Sequence, residues 1–248
     1  MTANNKFVWT DLSTFDLQKA CADYADLFSW TYQDDPSYSF AFVGEAEVAA
    51  LFPMPKRLID INMPSFWMSY IQVGQLDIVV RQAETHKGVI VEVAPEDFGE
   101  DARIALVRDP SGAGFTLYEG PDLAPTSQQI GAVTARYHHV DDIRKIEPFY
   151  RDVFGWEFVS SKQKPWSVFD IFHRDGSILG QVEEVPETIR GTFRYWMPGF
   201  LVGSVEATVS LLKAQGGGSS ATLTQGRQIA SDQQGAHFII QEKHGAIA

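Results

Sequence analysis

Four side chains in this 248-residue chain can move protons and lie in strand-like segments: Asp11, Tyr137, His139 and His237. A carboxylate, a phenol and two imidazoles are groups suited to general acid–base work, and a carboxylate beside aromatic faces also holds an organic cation. Alternate side chains of a strand share a face. Trp9, Asp11 and Ser13 therefore stand together, opposite Val8, Thr10 and Leu12, and Ala135, Tyr137 and His139 share a face of the segment ARYHHV. His139 and His237 lie on different strands and can approach each other, with Gln181 or Glu183 from a neighbouring strand.

Composition narrows the chemistry. A hydrophobic fraction of 44% with 21% charged residues is ordinary globular usage. A formal charge of −12 leaves no basic stripe to meet phosphates, so nucleic acid is not an expected partner, and neutral or cationic small molecules suit the chain better. The N-terminus, MTANNKFVWTDLS, has neither a basic segment followed by an apolar run nor a cleavage site, and no apolar run reaches membrane-spanning length. The expectation is a cytoplasmic protein without membrane partners. The one cysteine, Cys21, excludes an internal disulfide and a thiolate metal cluster, and reads as a small buried residue on a helix.

These residues sit in a chain written twice. Trp9–Asp16 aligns with Ala135–Asp142, and LFSWTY (27–32) with VFGWEF (153–158), at an offset of 126 residues. The offset grows to 129 where FWMSYIQVGQLD (66–77) faces YWMPGFLVGSVE (195–206), and falls to 123 where DPSGAGFTLYE (109–119) faces DQQGAHFIIQE (232–242). Loop insertions produce such changes. Each half contains two strand–helix–strands units. A strand over 7–13 precedes a helix capped by Thr14 or Asp16, with Leu17, Ala20, Cys21, Tyr24 and Phe28 at helical spacing. Strands over 40–43 and 48–52 follow; then come a strand over 66–73, a helix over 76–86, and strands over 89–93, 103–108 and 114–119. The Pro/Ser/Gln-rich stretch 121–130 reads as a linker, and GGGSS at 216–220 as a helix stop and flexible loop.

Two motifs carry a family resemblance: the helix patterns Asp16–Trp30 and Asp142–Trp156, and the D-P-x-G turn at Asp109–Gly112. With them the chain resembles the vicinal-oxygen-chelate superfamily, which includes glyoxalase I, extradiol dioxygenases and fosfomycin- and bleomycin-resistance proteins. The resemblance implies an α+β fold of four βαβββ modules forming two glyoxalase-like domains (1–122 and 131–248, with 123–130 as linker), curled mixed sheets and helices on the outer face. It also implies positions for metal ligands in each cup. In this chain those positions hold Trp9, Phe66 and Thr116, then Ala135, Tyr195 and Ile239, none of which makes a credible ligand set for a divalent transition metal. No metal and no cofactor is therefore expected.

Alternation around such a cup gives the candidate residues. Trp9, Phe66, Met68, Tyr70, Thr116 and Tyr118 would line the first, with Asp11 as its charged group; Tyr195, Met197 and Gln241 would line the second, with Tyr137, His139 and His237. Trp9, Phe66 and Tyr70 can equally be core aromatics, Asp11 a solvated strand-end carboxylate, and the two histidines imidazoles hydrogen-bonded at strand edges. His138 reads as structural, Trp30, Trp67, Trp156 and Trp196 as packing residues, and His86, His173 and His244 as surface residues. The expected function is metal-independent binding of an aromatic or cationic organic ligand by a monomer or weak homodimer. The alternative is an enzyme: a metal-free lyase, cyclase or isomerase, or a glyoxalase-like enzyme acting on a small carbonyl or natural-product substrate.

Overall fold

A computed structural model describes residues 5–35, 38–123, 128–161, 165–191 and 194–242. The first half forms strands β1 (Phe7–Thr14), β2 (Thr31–Asp35), β3 (Tyr38–Val43), β4 (Ala46–Pro53), β5 (Phe66–Gln72), β6 (Ile90–Phe98), β7 (Ala102–Arg108) and β8 (Gly114–Glu119). The second repeats them as β9 (Val133–Val140), β10 (Glu157–Ser161), β11 (Ser167–Phe172), β12 (Ile178–Glu184), β13 (Met197–Val202), β14 (Gly218–Thr222), β15 (Gln228–Ser231) and β16 (His237–Glu242). The helices are α1 (Leu17–Phe28), α2 (Lys56–Ile59), α3 (Leu76–Glu84), α4 (Glu147–Phe154), α5 (Glu187–Arg190) and α6 (Val205–Ala214). None of them, among the described residues, is long and apolar enough to cross a membrane.

The fold is α+β. One eight-stranded sheet has the order β2-β3-β4-β1-β5-β8-β7-β6, and the other repeats it as β10-β11-β12-β9-β13-β16-β15-β14. Within each module the first strand pairs in parallel with the last, as Asp11 with Ala50 or Tyr137 with Gln181, while the remaining pairs are antiparallel hairpins. Parallel pairing requires a crossover, and the helix supplies it.

Sheets follow the halves; packing does not. Contacts group the chain into two compact units, one made of Met1–Trp9, Met68–Leu123 and Arg136–Trp196, the other of Thr10–Trp67, Ala124–Ala135 and Met197–Ala248. Each unit thus takes one module from each half, so the boundaries expected at 122 and 131 separate the sheets and not the compact units. Residues 124–127 of the expected linker, and His244, lie outside the described residues.

In the first unit, the apolar sides of α3 and α4 bury Val80, Phe149, Tyr150 and Phe154 with Ile71, Phe115, Leu117, Trp156 and Trp196. In the second, Tyr24 and Phe28 of α1 meet Trp30, Trp67, Phe200 and Phe238 at ring-centroid distances of 4.6–6.0 Å. The four tryptophans are packing residues, as expected. Asp16, and not Thr14, caps α1, accepting from the Lys19 amide at 2.9 Å. Of the segment 216–220, only the start behaves as a helix stop: Gly216 has φ +92°, whereas Gly218–Thr222 is strand β14 on the sheet edge.

Candidate functional site

The D-P-x-G turn is a fastening and not a ligand loop. Asp109, fully buried, accepts through Oδ1 from the Ser111 and Ala113 amides, and through Oδ2 from the Tyr150 hydroxyl at 3.1 Å, with His138 Nε2 at 3.0 Å. Trp196 Nε1 donates to the same Tyr150 oxygen at 2.7 Å. Burial alone would push the Asp109 carboxyl up; the His138 charge and hydrogen bond, with those of Ser111 and Ala113, reverse this and hold it below the usual carboxylate range. The second half repeats the device. Asp232 accepts from the Gln234 and Ala236 amides and from Tyr24 at 3.1 Å, and Trp67 donates to Tyr24 at 3.1 Å. Leu12 occupies the sequence position matching His138, and burial leaves the Asp232 carboxyl raised.

These fastenings fix the facing of the strands. His138 is bonded toward α4, so Tyr137 and His139 lie on the opposite face of β9, both buried. Glu183 stands beside His139 in the register and Gln181 beside Tyr137; Gln181 donates to Asp170 of β11 at 2.6 Å. On β5 and β8, Ile71, Phe115 and Leu117 enter the helix-side core, leaving Tyr70 and Thr116 paired on the other face, with Gln72 beside Tyr118. The Tyr118 hydroxyl donates to the Pro121 carbonyl at 3.0 Å. Trp9 belongs to this unit; it is 7% exposed, and its carbonyl accepts from the buried Arg136, whose pKa burial lowers to about 9.

The second unit holds Asp11, Phe66, Met197, His237 and Gln241. Asp11 is 1% exposed, and its Oδ2 accepts from the Tyr38 hydroxyl at 2.9 Å, so it is not a solvated strand-end carboxylate. Register places Asp11 beside Ala50, and Ala50 beside Phe40; Ser13 is beside Phe52. The Tyr38 ring stacks on Phe52 at 5.9 Å and meets Phe40 edge-on at 4.9 Å. Ala50 has the smallest side chain of the rung and is fully buried. The Ser13 hydroxyl is buried with no hydrogen-bond partner among the described residues. Tyr38, Phe40 and Phe52 were not among the candidates, although alternation from Phe40 reaches Tyr38 two residues earlier.

On the far strands of this unit, Gln241 donates to Thr134 at 2.8 Å, and burial lowers the His237 pKa to about 4, so its imidazole is neutral near pH 7 and can accept a proton only weakly. His139 and His237 belong to different units. Tyr195 precedes β13 and forms an isolated bridge with Gly114 in place of a fifth-strand position. His173 is buried, 2.9 Å from Asp175, and His86 packs edge-on against Phe149, so neither is the surface residue its context suggested; Cys21 is only half-buried.

Two eight-stranded mixed sheets, each built from two crossover modules with the D-x-x-G fastening repeated, define the fold of the vicinal-oxygen-chelate proteins. The model of the Glyoxalase/Bleomycin resistance protein/Dioxygenase superfamily matches residues 6–117, a segment the second half repeats. The chain is 28% identical over 251 residues to the protein named "Putative glyoxylase CFP32" of Mycobacterium tuberculosis, across 94% of this chain and 92% of that one. Among solved structures it resembles the Mn(II)-bound glyoxalase from Novosphingobium aromaticivorans (11% identity, TM-score 0.61, 98% of this chain and 87% of that one). It also resembles 2,2',3-trihydroxybiphenyl 1,2-dioxygenase from Sphingomonas wittichii (12%, 0.63, 96% and 90%). At such identities the likeness concerns the fold.

At the positions that the resemblance implies for metal ligands, the side chains do not fit a resident metal ion. The positions implied for ligands hold Trp9, Phe66, Thr116, Ala135, Tyr195 and Ile239, and no group of three or more His, Cys, Asp or Glu among the described residues is placed to hold one.

Proposed function

We propose that the protein binds a small aromatic cation without a metal ion, on the face of β1, β3 and β4 that carries Asp11. The observation that carries this reading is a carboxylate 1% exposed and bonded to Tyr38, whose ring meets Phe40 edge-on and stacks on Phe52. A carboxylate attracts a positive charge, and aromatic faces attract cations while stacking on flat apolar groups. Ser13 offers a buried hydroxyl that a polar ligand group would satisfy.

The test is selectivity by charge. Calorimetric titration should show tryptamine binding and its uncharged analogue 3-ethylindole binding more weakly. Asp11→Asn keeps the shape and removes the charge, so tryptamine should weaken at least about tenfold, or about 1.4 kcal/mol, while 3-ethylindole changes little. Equal losses for both compounds, or tryptamine binding untouched by Asp11→Asn, would remove the carboxylate from the site.

A further inference from the structure

The face that carries Asp11 has a second buried polar group, and it is unmet. The Ser13 hydroxyl is fully buried and has no hydrogen-bond partner among the described residues. Buried hydroxyls are almost always satisfied and costly when they are not, so a ligand group that completes this one is favoured.

Register defines what stands beside it. Asp11, Ala50 and Phe40 form one rung across β1, β4 and β3. Ser13 and Phe52 form the next, with the Tyr38 ring stacked on Phe52 at 5.9 Å. All of these residues belong to one compact unit. Residues two apart in a strand share a face and are separated by about 7 Å, so the Asp11 carboxylate and the Ser13 hydroxyl are consecutive polar groups on one face of β1. The Tyr38 hydroxyl gives its hydrogen to Asp11 Oδ2, at 2.9 Å, and not to Ser13.

The two groups call for different partners. Asp11 takes a positive charge, whereas Ser13 donates one hydrogen bond, can accept others and has no charge with which to offset one. A second cation buried at Ser13 would lose its hydration with no carboxylate beside it, and an anion there would be repelled by Asp11. An uncharged hydroxyl meets neither penalty. The rings of the Ser13 rung, Phe52 and Tyr38, favour a hydroxyl that is itself carried on an aromatic ring.

We propose that Ser13 is a specificity-determining residue of this face, selecting amines whose aromatic ring carries a hydroxyl about 7 Å from the ammonium nitrogen. The inference rests on the reading of the Asp11 face as a site for an aromatic cation, and adds to it the class of cation taken.

Calorimetric titration of the full chain with tyramine and 4-methylphenethylamine tests it, because a methyl group replaces the hydroxyl at nearly the same size. Wild-type protein should bind tyramine at least about fivefold more tightly, and Ser13→Ala should bring the two dissociation constants within about twofold by weakening tyramine. Asp11→Asn should weaken both amines. Without ligand, Ser13→Ala should melt no lower than wild type, since the substitution removes no hydrogen bond among the described residues. Equal binding of the two amines by wild type, a tyramine preference that survives in Ser13→Ala, or a lower melting temperature of that variant overturns the proposal and leaves the cation site standing. If neither amine binds wild type, or neither weakens in Asp11→Asn, the cation site fails and the selection by Ser13 fails with it.

Discussion

Asp109 and Asp232 sit in matching turns, each bonded to a helix tyrosine that also receives a tryptophan N–H, and they differ in one neighbour. His138 faces Asp109, whereas Leu12 stands at the matching position of the other turn. The consequences for stability have opposite signs. The folded Asp109 carboxyl titrates below its unfolded value, so its contribution is complete above the ordinary carboxylate range and is lost as pH falls through the folded value. The folded Asp232 carboxyl titrates above its unfolded value, so its contribution favours the acid side and fades as pH rises through the folded value. At pH 7, Asp109→Asn should cost about 3 kcal/mol by leaving His138 facing a neutral amide, and Asp232→Asn about 1 kcal/mol or less. Urea unfolding of the two variants measures this; equal costs would mean that His138 does not distinguish the turns. The aspartate of D-P-x-G could be located in the sequence, but its partners could not, because Tyr150 and Asp109 are 41 residues apart and belong to different repeats.

At the scale of elements, strands with strong alternation were legible, whereas the edge strands β2 and β14, which lack an apolar pattern, were not. Phe7–Thr14 and Gly114–Glu119 declared themselves through apolar and β-branched residues. TYQDD of β2 and GSSAT of β14 carry no apolar pattern; they are strands because β3 and β15 offer them hydrogen bonds, a tertiary effect that local propensity does not encode. The missed start of β3 also hid Tyr38, the residue that binds Asp11. Close backbone approach is another tertiary demand. A Cβ on Gly180 would lie 2.1 Å from the Arg136 carbonyl oxygen, where β12 runs beside β9. Gly180→Ala should therefore destabilise the chain by about 1–3 kcal/mol and disturb the rung that aligns Gln181 with Tyr137. A melting temperature equal to wild type would show that the two strands can part without cost.

For the whole molecule, the repeat was readable because both halves keep the helix and turn motifs at offsets that vary by only a few residues. The composition of the compact units was not readable: each draws one module from each half, and nothing in a linear repeat states which modules share a core. The same repeat shows what has changed within the superfamily fold, since the positions implied for metal ligands hold aromatic, aliphatic and hydroxyl side chains while Asp11 lies buried among rings. Under the proposed function, binding on the Asp11 face uses the carboxylate and the rings, and needs no metal. Calorimetric titration of chelator-stripped wild-type protein with tryptamine, repeated after adding Mn(II) or Zn(II), tests this. The expected result is the same dissociation constant, within about twofold, in all three titrations; binding that appears only with metal, or no binding in any of them, would contradict it.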